Sequence, residues 1–267
     1  MTSRIKAGRW TSSLIGLAIL GIGMSVAGGQ TSGASDLASF LDKAALKIRS
    51  YPEKASWTAN TVTTITKMDR NWIPESVTVV AKTVRVTDGE REESILKAEE
   101  TKKGKTRDIT RKYAEDAREA RERERKRRSE ANEGNRSGRR SASFSIDEFL
   151  PFAEPKRGQF YFLLTEKAAV DGRPAVMLEV TARVKSEKNW EGKFYFDPET
   201  TDLLGLEVRP SENPSLVKEL EFRATFEVLD GRVLVVKSTR AKVNGGFFLK
   251  HIRQVIEETS SGFELTK

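Results

Sequence analysis

The stretch EGKFYFDPETTDLLGLEVRP, residues 191–210, has the strongest pattern in the chain. Apolar and polar residues alternate on both sides of an Asp-Pro pair, which predicts two β-strands joined by a turn. Pro198 fixes φ at the turn, and the side chain of Asp197 can accept hydrogen bonds from backbone N–H groups two residues further on. A catalytic carboxylate pair would need desolvation or a charged partner. We therefore interpret Asp197, Glu199 and Asp202 as turn residues at a solvent-exposed hairpin end.

The strands that flank this turn predict a sheet with one apolar and one charged face. Side chains two residues apart in a strand point to the same side of the sheet. The alternation continues through the runs at 173–184 and 219–228. The apolar face is either an ordinary core or a cavity for an apolar ligand. Its candidate ligand-binding residues are Phe194, Phe196, Leu204, Leu206, Phe222 and Phe226.

Turn signals between alternating runs extend this pattern along most of the chain. They include Asp88-Gly89, Asp230-Gly231 and Asn244-Gly245, and they predict an antiparallel meander of about nine or ten strands. Apolar residues at helical spacing predict an amphipathic helix over 36–50 with Asp36 as its N-cap, and 143–152 is expected to form a short helix or turn. The predicted fold class is mainly β (α+β): a large curved antiparallel sheet or unclosed β-barrel covering one or two short helices.

The N-terminal residues have the features of a secretory signal peptide. Arg4, Lys6 and Arg9 precede an apolar run at 14–24, and small residues follow up to Ala27. The apolar run is shorter than the ~18–20 residues that span a bilayer. We predict cleavage after Ala27 and a periplasmic location.

The predicted domain organisation follows from these segments. Residues 1–27 are the signal peptide, 28–35 are a flexible N-terminus, and 36–267 are a single β domain interrupted by an insertion at 111–141. The chain has no cysteine, so we expect it to be soluble after export and not anchored through a lipidated cysteine. We predict no cofactor and no metal site, because thiolate ligands are absent and His251 is the only histidine.

The net charge of +8 is confined to two segments. Residues 1–27 contribute three positive charges, residues 111–140 contribute five, and the rest of the chain is neutral overall. The insertion at 111–141 has no apolar face; its first part favours a solvated helix and its tail from Ala131 favours disorder. It is either a solvated insertion or a basic arm for an anionic membrane surface or an acidic partner. Nucleic-acid binding is not expected of an exported protein.

The hairpin also carries a motif, W-x-G-x-F-x-F-D-P-x-T, at residues 190–200. With the N-terminal signal, the amphipathic helix and the long strands, this motif resembles the outer-membrane lipoprotein-sorting proteins of the LolA/LolB type. The resemblance implies an unclosed antiparallel β-barrel around short helices, with a hydrophobic cavity that holds lipid or the acyl chains of a lipoprotein. The insertion at 111–141 departs from that compact pattern.

The resemblance leads to two functional expectations. The first is a periplasmic, non-enzymatic carrier or binding protein for a lipid or an acylated lipoprotein. The alternative is a protein-interaction or regulatory module with the same fold and a packed core, because relatives with this fold include periplasmic regulators that bind a partner protein.

Overall fold

One antiparallel sheet dominates the structure, a computed structural model that describes residues 31–52, 54–134, 150–152, 156–247 and 250–266. Within these ranges the sheet has eleven strands, accompanied by two α-helices. The helices are α1 (Thr31–Ser50) and α2 (Thr110–Gly134). The strands are β1 (Trp57–Met68), β2 (Pro74–Thr87), β3 (Glu90–Lys102), β4 (Lys105–Asp108), β5 (Phe160–Val170), β6 (Arg173–Ala182), β7 (Trp190–Phe196), β8 (Leu203–Pro210), β9 (Val217–Leu229), β10 (Val233–Phe247) and β11 (Lys250–Leu265).

The strand order is β4-β3-β2-β1-β11-β10-β9-β8-β7-β6-β5. The first and last strands of the chain pair in the middle of the sheet, and β4 and β5 are its free edges. The predicted fold class, a large antiparallel sheet that does not close into a barrel, is confirmed. The strand β4 was not predicted because KTRD has no apolar alternation; it forms because Lys103 and Gly104 make a turn with positive φ at both residues.

The turn expected at Asn244-Gly245 is wrong. Strand β10 continues through both residues to Phe247, and Gly245 pairs with Ile252 of β11. The glycine serves a close backbone approach: a Cβ at Gly245 would lie 2.9 Å from the carbonyl oxygen of Leu216. The N–H of Gly246 donates to that same oxygen at 2.9 Å. Residues 248–249, between β10 and β11, lie outside the described residues.

The concave face of the sheet changes from apolar to polar across its width. A single row of directly opposed residues shows this, because each member pairs with the next on the neighbouring strand. From β5 to β3 the row is Leu164, Leu178, Phe194, Leu206, Ala224, Thr239, Glu258, Thr63, Val80 and Ala98. We call the part on β5–β9 the apolar half and the part on β11, β1, β2 and β3 the polar half.

Helix α1 covers the apolar half. Its apolar residues recur at helical spacing, and Leu41, Ala44, Ala45 and Ile48 are buried in the core. On the opposite side of the helix Leu46 is 72% exposed. The helix begins at Thr31, so Asp36 is not the N-cap that the sequence predicted.

Helix α2 begins beside β3, where the N–H of Ile109 donates to the carbonyl oxygen of Ala98 at 2.9 Å. The helix continues to Gly134, beyond Ala131, where the tail of the insertion was expected to begin. The predictions for 1–30, for 135–141 and for 143–149 lie outside the described residues. Within the described ranges, neither helix is long and apolar enough to cross a membrane.

Candidate functional site

The apolar half of the concave face contains the residues that the sequence proposed as ligand contacts. Phe194 and Phe196 have no exposed surface, Leu206 is 2% exposed, and Phe226 is buried. Phe222 is partly buried and packs against the same core cluster. All of these side chains therefore belong to one apolar surface.

A β-bulge changes the position of one predicted contact. The register shifts between Tyr195 and Phe196, so that Phe196 pairs with Leu203. Leu203 consequently joins the core cluster beside Phe196, and Leu204 is buried outside that cluster. Strict alternation along β8 places Leu204 on the same face as Leu206, and it does not reveal a bulge in the pairing with β7.

Two short pieces of the chain cover the apolar half: helix α1, and the segment that contains Leu150 and Phe152. We call them the covering layer. The ring of Phe40 in α1 meets Phe196 edge to face, with centroids 5.3 Å apart. Phe152 makes similar contacts with Phe194 at 5.6 Å and with Phe196 at 5.8 Å. In this structure the protein's own side chains fill the apolar half.

The C-terminal end of α1 is fastened to the sheet through Asp202. The hydroxyl of Tyr51 donates to Asp202, and Lys47 Nζ lies 3.0 Å from the same oxygen, Oδ1. Thr200 Oγ1 donates to the other oxygen at 2.7 Å. We call Lys47, Tyr51, Thr200 and Asp202 the Asp202 cluster. Lys47 lies in the last turn of α1, where a positive charge is favourable to the helix macrodipole. Its ion pair offsets the negative charge of Asp202 at this end of the helix.

Charge and burial act in opposite directions on the Asp202 cluster. Burial alone would raise the pKa of Asp202, but the bonds from Tyr51, Thr200 and Lys47 outweigh it and hold that pKa below its ordinary value. Burial, and then the bond to Asp202, raise the pKa of Tyr51 strongly. The side chain of Asp202 is only 16% exposed, so the expectation that every acid of the turn lies at a solvent-exposed end is wrong for this residue.

A second polar contact joins the two parts of the covering layer. Arg157 Nη2 lies 2.8 Å from Asp42 Oδ1 of α1. Its Nε donates to the carbonyl oxygen of Phe152 at 3.0 Å. The helix and the Phe152 segment are therefore linked to each other as well as to the sheet.

Asp197 stabilises the turn, as the sequence predicted. Asp197 Oδ1 accepts hydrogen bonds from the N–H groups of Glu199 and Thr200, both at 2.9 Å. The bond from Thr200 is the main reason why the pKa of Asp197 lies below its ordinary value. The structural interpretation of the turn acids is confirmed for Asp197, because its carboxylate is occupied by backbone donors.

The glycine of the W-x-G-x-F motif has a steric role. Gly192 has φ of 146°, and a Cβ there would lie 2.0 Å from the carbonyl oxygen of Glu207. The preceding Glu191 is 7% exposed. It accepts from Lys185 at 2.6 Å. The motif thus brings β7 and β8 close together, with Phe194 and Phe196 following directly on the apolar half.

The polar half carries an ion network that the sequence analysis missed. Lys82 Nζ lies 2.8 Å from Glu258 Oε2 and 2.9 Å from Glu93 Oε1, and Arg91 Nη2 lies 2.9 Å from Glu258 Oε1. Thr63 Oγ1 donates to Glu258 at 2.9 Å. We call these five residues the Glu258 network. The sequence does place Lys82 on the same strand face as Val80 and Val84, both of which are buried. A lysine between two apolar residues of one face indicates a paired, buried charge.

Helix α2 lies over the Glu258 network. Burial raises the pKa of Tyr113, and the charges of Lys82, Glu93 and Glu258 act on the same hydroxyl. Arg121 Nη1 donates to the carbonyl oxygen of Glu93 at 3.1 Å. Burial alone would raise the pKa of Glu258, but its bonds to Lys82 and Arg91 lower it to about 2. Each charged group of the network has an oppositely charged partner, so we interpret the network as structural.

The described residues also form two open grooves. A groove of about 380 Å³ is lined by charged residues of β9 and β10 together with Trp72, over whose ring Lys242 Nζ lies at 4.5 Å. A shallower groove of about 320 Å³ follows α2 at Arg111, Glu115, Arg118 and Arg121. Neither groove lies on the apolar half. The part of the chain that the structure describes holds no cluster of three metal-ligating side chains.

The fold and site together define an unclosed antiparallel β-barrel with an apolar concave surface under a helix. No family model and no curated protein matches the sequence. Solved structures do match. One is a LolA superfamily protein from Nitrosomonas europaea, at 12% identity over 86% of this chain and 93% of that chain, with a TM-score of 0.34.

Two further solved structures extend this comparison. A putative outer membrane lipoprotein-sorting protein domain from Vibrio parahaemolyticus has 8% identity over 84% of this chain and 91% of that chain, with a TM-score of 0.34. The MucA/MucB complex from Pseudomonas aeruginosa has 13% identity over 84% of this chain and 93% of that chain, with a TM-score of 0.26. The resemblance to the lipoprotein-sorting type is confirmed in that such proteins are among the matches. At these identities and TM-scores no ligand or residue role transfers to this chain.

Proposed function

We propose that this protein is an exported, non-enzymatic carrier or binding protein that holds an acyl chain of a lipid or lipoprotein on the apolar half. The ligand would lie against Phe194, Phe196, Leu206, Phe222 and Phe226, whereas Leu204 is buried outside this cluster. The observation that carries the proposal is the nature of the covering layer. Helix α1 and the Phe152 segment, held by the Asp202 cluster and Arg157, cover the aromatic surface that Phe194 and Phe196 form.

The free energies of burial permit an exchange between the covering layer and a ligand. Each buried methylene of an acyl chain contributes about 0.8 kcal/mol, and burial of one Leu, Ile or Phe side chain contributes about 1.5–3 kcal/mol. A long acyl chain therefore offsets the loss of the few side chains with which α1 and Phe152 fill the apolar half. Because the two terms are similar in size, the bound ligand can also be released.

Export rests on the N-terminal residues 1–27, which lie outside the described residues, and it remains a prediction from the sequence. A carrier of this kind needs no catalytic group. The turn acids support that expectation, since Asp197 accepts from the backbone and Asp202 holds α1.

Mass spectrometry of the purified protein tests the proposal directly. The protein is expressed with its own signal, purified without detergent, and analysed for bound lipid under native conditions. Binding of a fluorescent fatty acid is then measured for the wild type and for Asp202→Ala, with Glu199→Gln as a matched carboxylate control in the same turn. We expect co-purified lipid and faster uptake by Asp202→Ala. Absence of lipid together with no fatty-acid binding by either protein would overturn the proposal.

A second candidate function is an interaction or regulatory module with a packed core. The observation that favours it is α2, which contacts β3 through Thr110 and Arg121 and exposes the side chains of Arg111, Arg118 and Arg123. Such a helix is suited to an anionic membrane surface, at roughly 1 kcal/mol per well-placed basic residue.

Deletion of 111–141 tests the surface interaction separately from ligand binding on the sheet. Retained fatty-acid binding with lost binding to vesicles that contain anionic lipid would assign the surface interaction to this segment and the ligand to the sheet. Because the deletion also removes Tyr113, the triple variant of Arg111, Arg118 and Arg123 to Gln is measured in parallel. Neutral vesicles serve as the control, and equal binding of both variants and wild type to anionic vesicles would exclude the arm.

A further inference from the structure

The two free edges of the sheet are built differently. Strand β4 is four residues long, all four are exposed, and three of them are charged. Short length and charge are the devices by which proteins prevent pairing at a sheet edge. Strand β5 has eleven residues, and its first six, FYFLLT at 160–165, include no charged side chain. Of these two edge strands, β5 is therefore the one suited to accept another strand.

The register of β5 and β6 determines which backbone groups point out of the sheet. The N–H of Arg183 donates to the carbonyl oxygen of Gln159 at 2.8 Å. The neighbouring N–H of Ala182 points the other way, to Glu191 Oε2 at 3.4 Å. Since hydrogen-bonded pairs alternate along antiparallel strands, the odd-numbered residues of β5 bond to β6. The even-numbered residues direct their N–H and C=O groups to the open edge.

Phe160, Phe162 and Leu164 direct six N–H and C=O groups to this edge, of which two are already occupied and four are free. The N–H of Phe160 donates to the carbonyl oxygen of Arg157. The carbonyl oxygen of Phe160 accepts from Arg183 Nε at 3.1 Å. The N–H and C=O groups of Phe162 and Leu164 have no partner among the described residues. Between them lies Leu163, whose side chain is 61% exposed on the convex face.

We propose that two copies of this chain pair through their β5 edges, antiparallel about a two-fold axis at Leu163. In this register Phe162 faces Leu164 of the second copy, and the reverse. Four hydrogen bonds then use every free N–H and C=O of the two strands. The two Leu163 side chains meet at a non-hydrogen-bonded pair, where side chains are closest, and Tyr161 lies beside Thr165 of the second copy.

Neighbouring registers are less suitable. An axis at Phe162 would require the carbonyl oxygen of Phe160, which Arg183 occupies. An axis at Leu164 would extend the pairing into the β-bulge that begins after Thr165. A two-fold interface has to be self-complementary, and the stretch 160–165 fulfils this condition about Leu163 without opposing two like charges.

Cysteine cross-linking tests the interface, because the chain has no cysteine of its own. Leu163→Cys is expected to form a disulfide-linked dimer under mild oxidation. Leu96→Cys is the matched control, since Leu96 is also 61% exposed but lies on β3, and it should remain monomeric. Tyr161→Cys and Thr165→Cys should each cross-link poorly alone and form a mixed dimer when combined.

Analytical ultracentrifugation supplies the measurement without cross-links. The wild type and Leu96→Lys should sediment as dimers, and Leu163→Lys as a monomer with an unchanged circular dichroism spectrum. A monomeric wild type up to about 100 μM, or equal cross-linking by Leu96→Cys, would overturn the proposal. Preferential self-cross-linking of Tyr161→Cys would also overturn it, since it would place the axis elsewhere. The outcome is independent of lipid binding, which uses the opposite face of the sheet.

Discussion

Replacement of Asp202 by alanine is expected to loosen helix α1 without unfolding the sheet. The substitution removes the acceptor of Tyr51 and the ion pair with Lys47, while the core contacts of the helix remain. The turn also remains, because Asp197 still accepts from Glu199 and Thr200.

The expected magnitude follows from the exposure of the partners. A hydrogen bond to a charged group contributes about 1.5–3 kcal/mol. An ion pair near the surface contributes about 0.2–1 kcal/mol, and Lys47 is 30% exposed. Local opening of α1 should therefore become easier by about 2 kcal/mol, which is roughly a 30-fold change in the opening equilibrium.

Hydrogen exchange measured by mass spectrometry checks this prediction on peptides that cover 36–50. Exchange in these peptides should accelerate in Asp202→Ala, with peptides from β9 and β10 unchanged. The control is Glu199→Gln, which changes a carboxylate of the same turn that makes no bond to α1. The folded-state pKa of Asp202 is lowered, so the contribution of the cluster is present at neutral pH and is lost as the pH falls through that pKa. Unchanged exchange in Asp202→Ala, or equal acceleration in Glu199→Gln, would refute the role of the cluster.

Three further predictions concern stability and are checked by urea denaturation. Phe196→Ala should destabilise the protein by about 3–5 kcal/mol, because Phe196 is fully buried, whereas Leu46→Ala at an exposed site should change stability by less than about 0.5 kcal/mol; equal effects would contradict the core assignment. Gly192→Ala should prevent stable pairing of β7 and β8, because its Cβ would clash with the backbone, whereas Gly172→Ala, with positive φ and open space, should cost only about 1–3 kcal/mol. Because the pKa of Glu258 is lowered from 4.5 to about 2, its contribution to stability is present above pH 4.5 and is lost as the pH falls towards 2. In Glu258→Gln, the free energy of unfolding should therefore depend less on pH between 4.5 and 2. An unchanged pH dependence would show that the network does not determine it.

Much of the sheet was predictable because period-two alternation records which residues share a face. The alternating runs at 173–184 and 219–228 correspond to β6 and β9, and Phe194, Phe196 and Leu206 were placed on one apolar surface. The errors have local physical causes. At Asn244-Gly245 the glycine serves close packing against Leu216 and not a turn, and the sequence offers no distinction between these two uses.

The candidate site was predictable on the sheet but not on the helices. Which residues fasten α1 depends on contacts between positions far apart in the chain, such as Tyr51 and Asp202. An acid at the end of a hairpin has the same local sequence whether it faces water or a helix end. The Glu258 network was missed for the same reason, since Lys82 and Glu258 meet only through the pairing of the first and last strands.

The pairing of β1 with β11 has a consequence for how the chain assembles. Thr61 and Ser260 share a hydrogen bond at 2.9 Å although 199 positions separate them, and the N–H of Thr266 donates to the carbonyl oxygen of Ser56 at 2.9 Å. Strands β1–β4 and strands β5–β10 each consist of hairpins between consecutive strands, and such local contacts form early. Among the described strands, β11 is the one that pairs with both groups, so it has to be synthesised before the sheet is whole. A chain that ends before β11 should leave two separate meanders, each with a new unpaired edge.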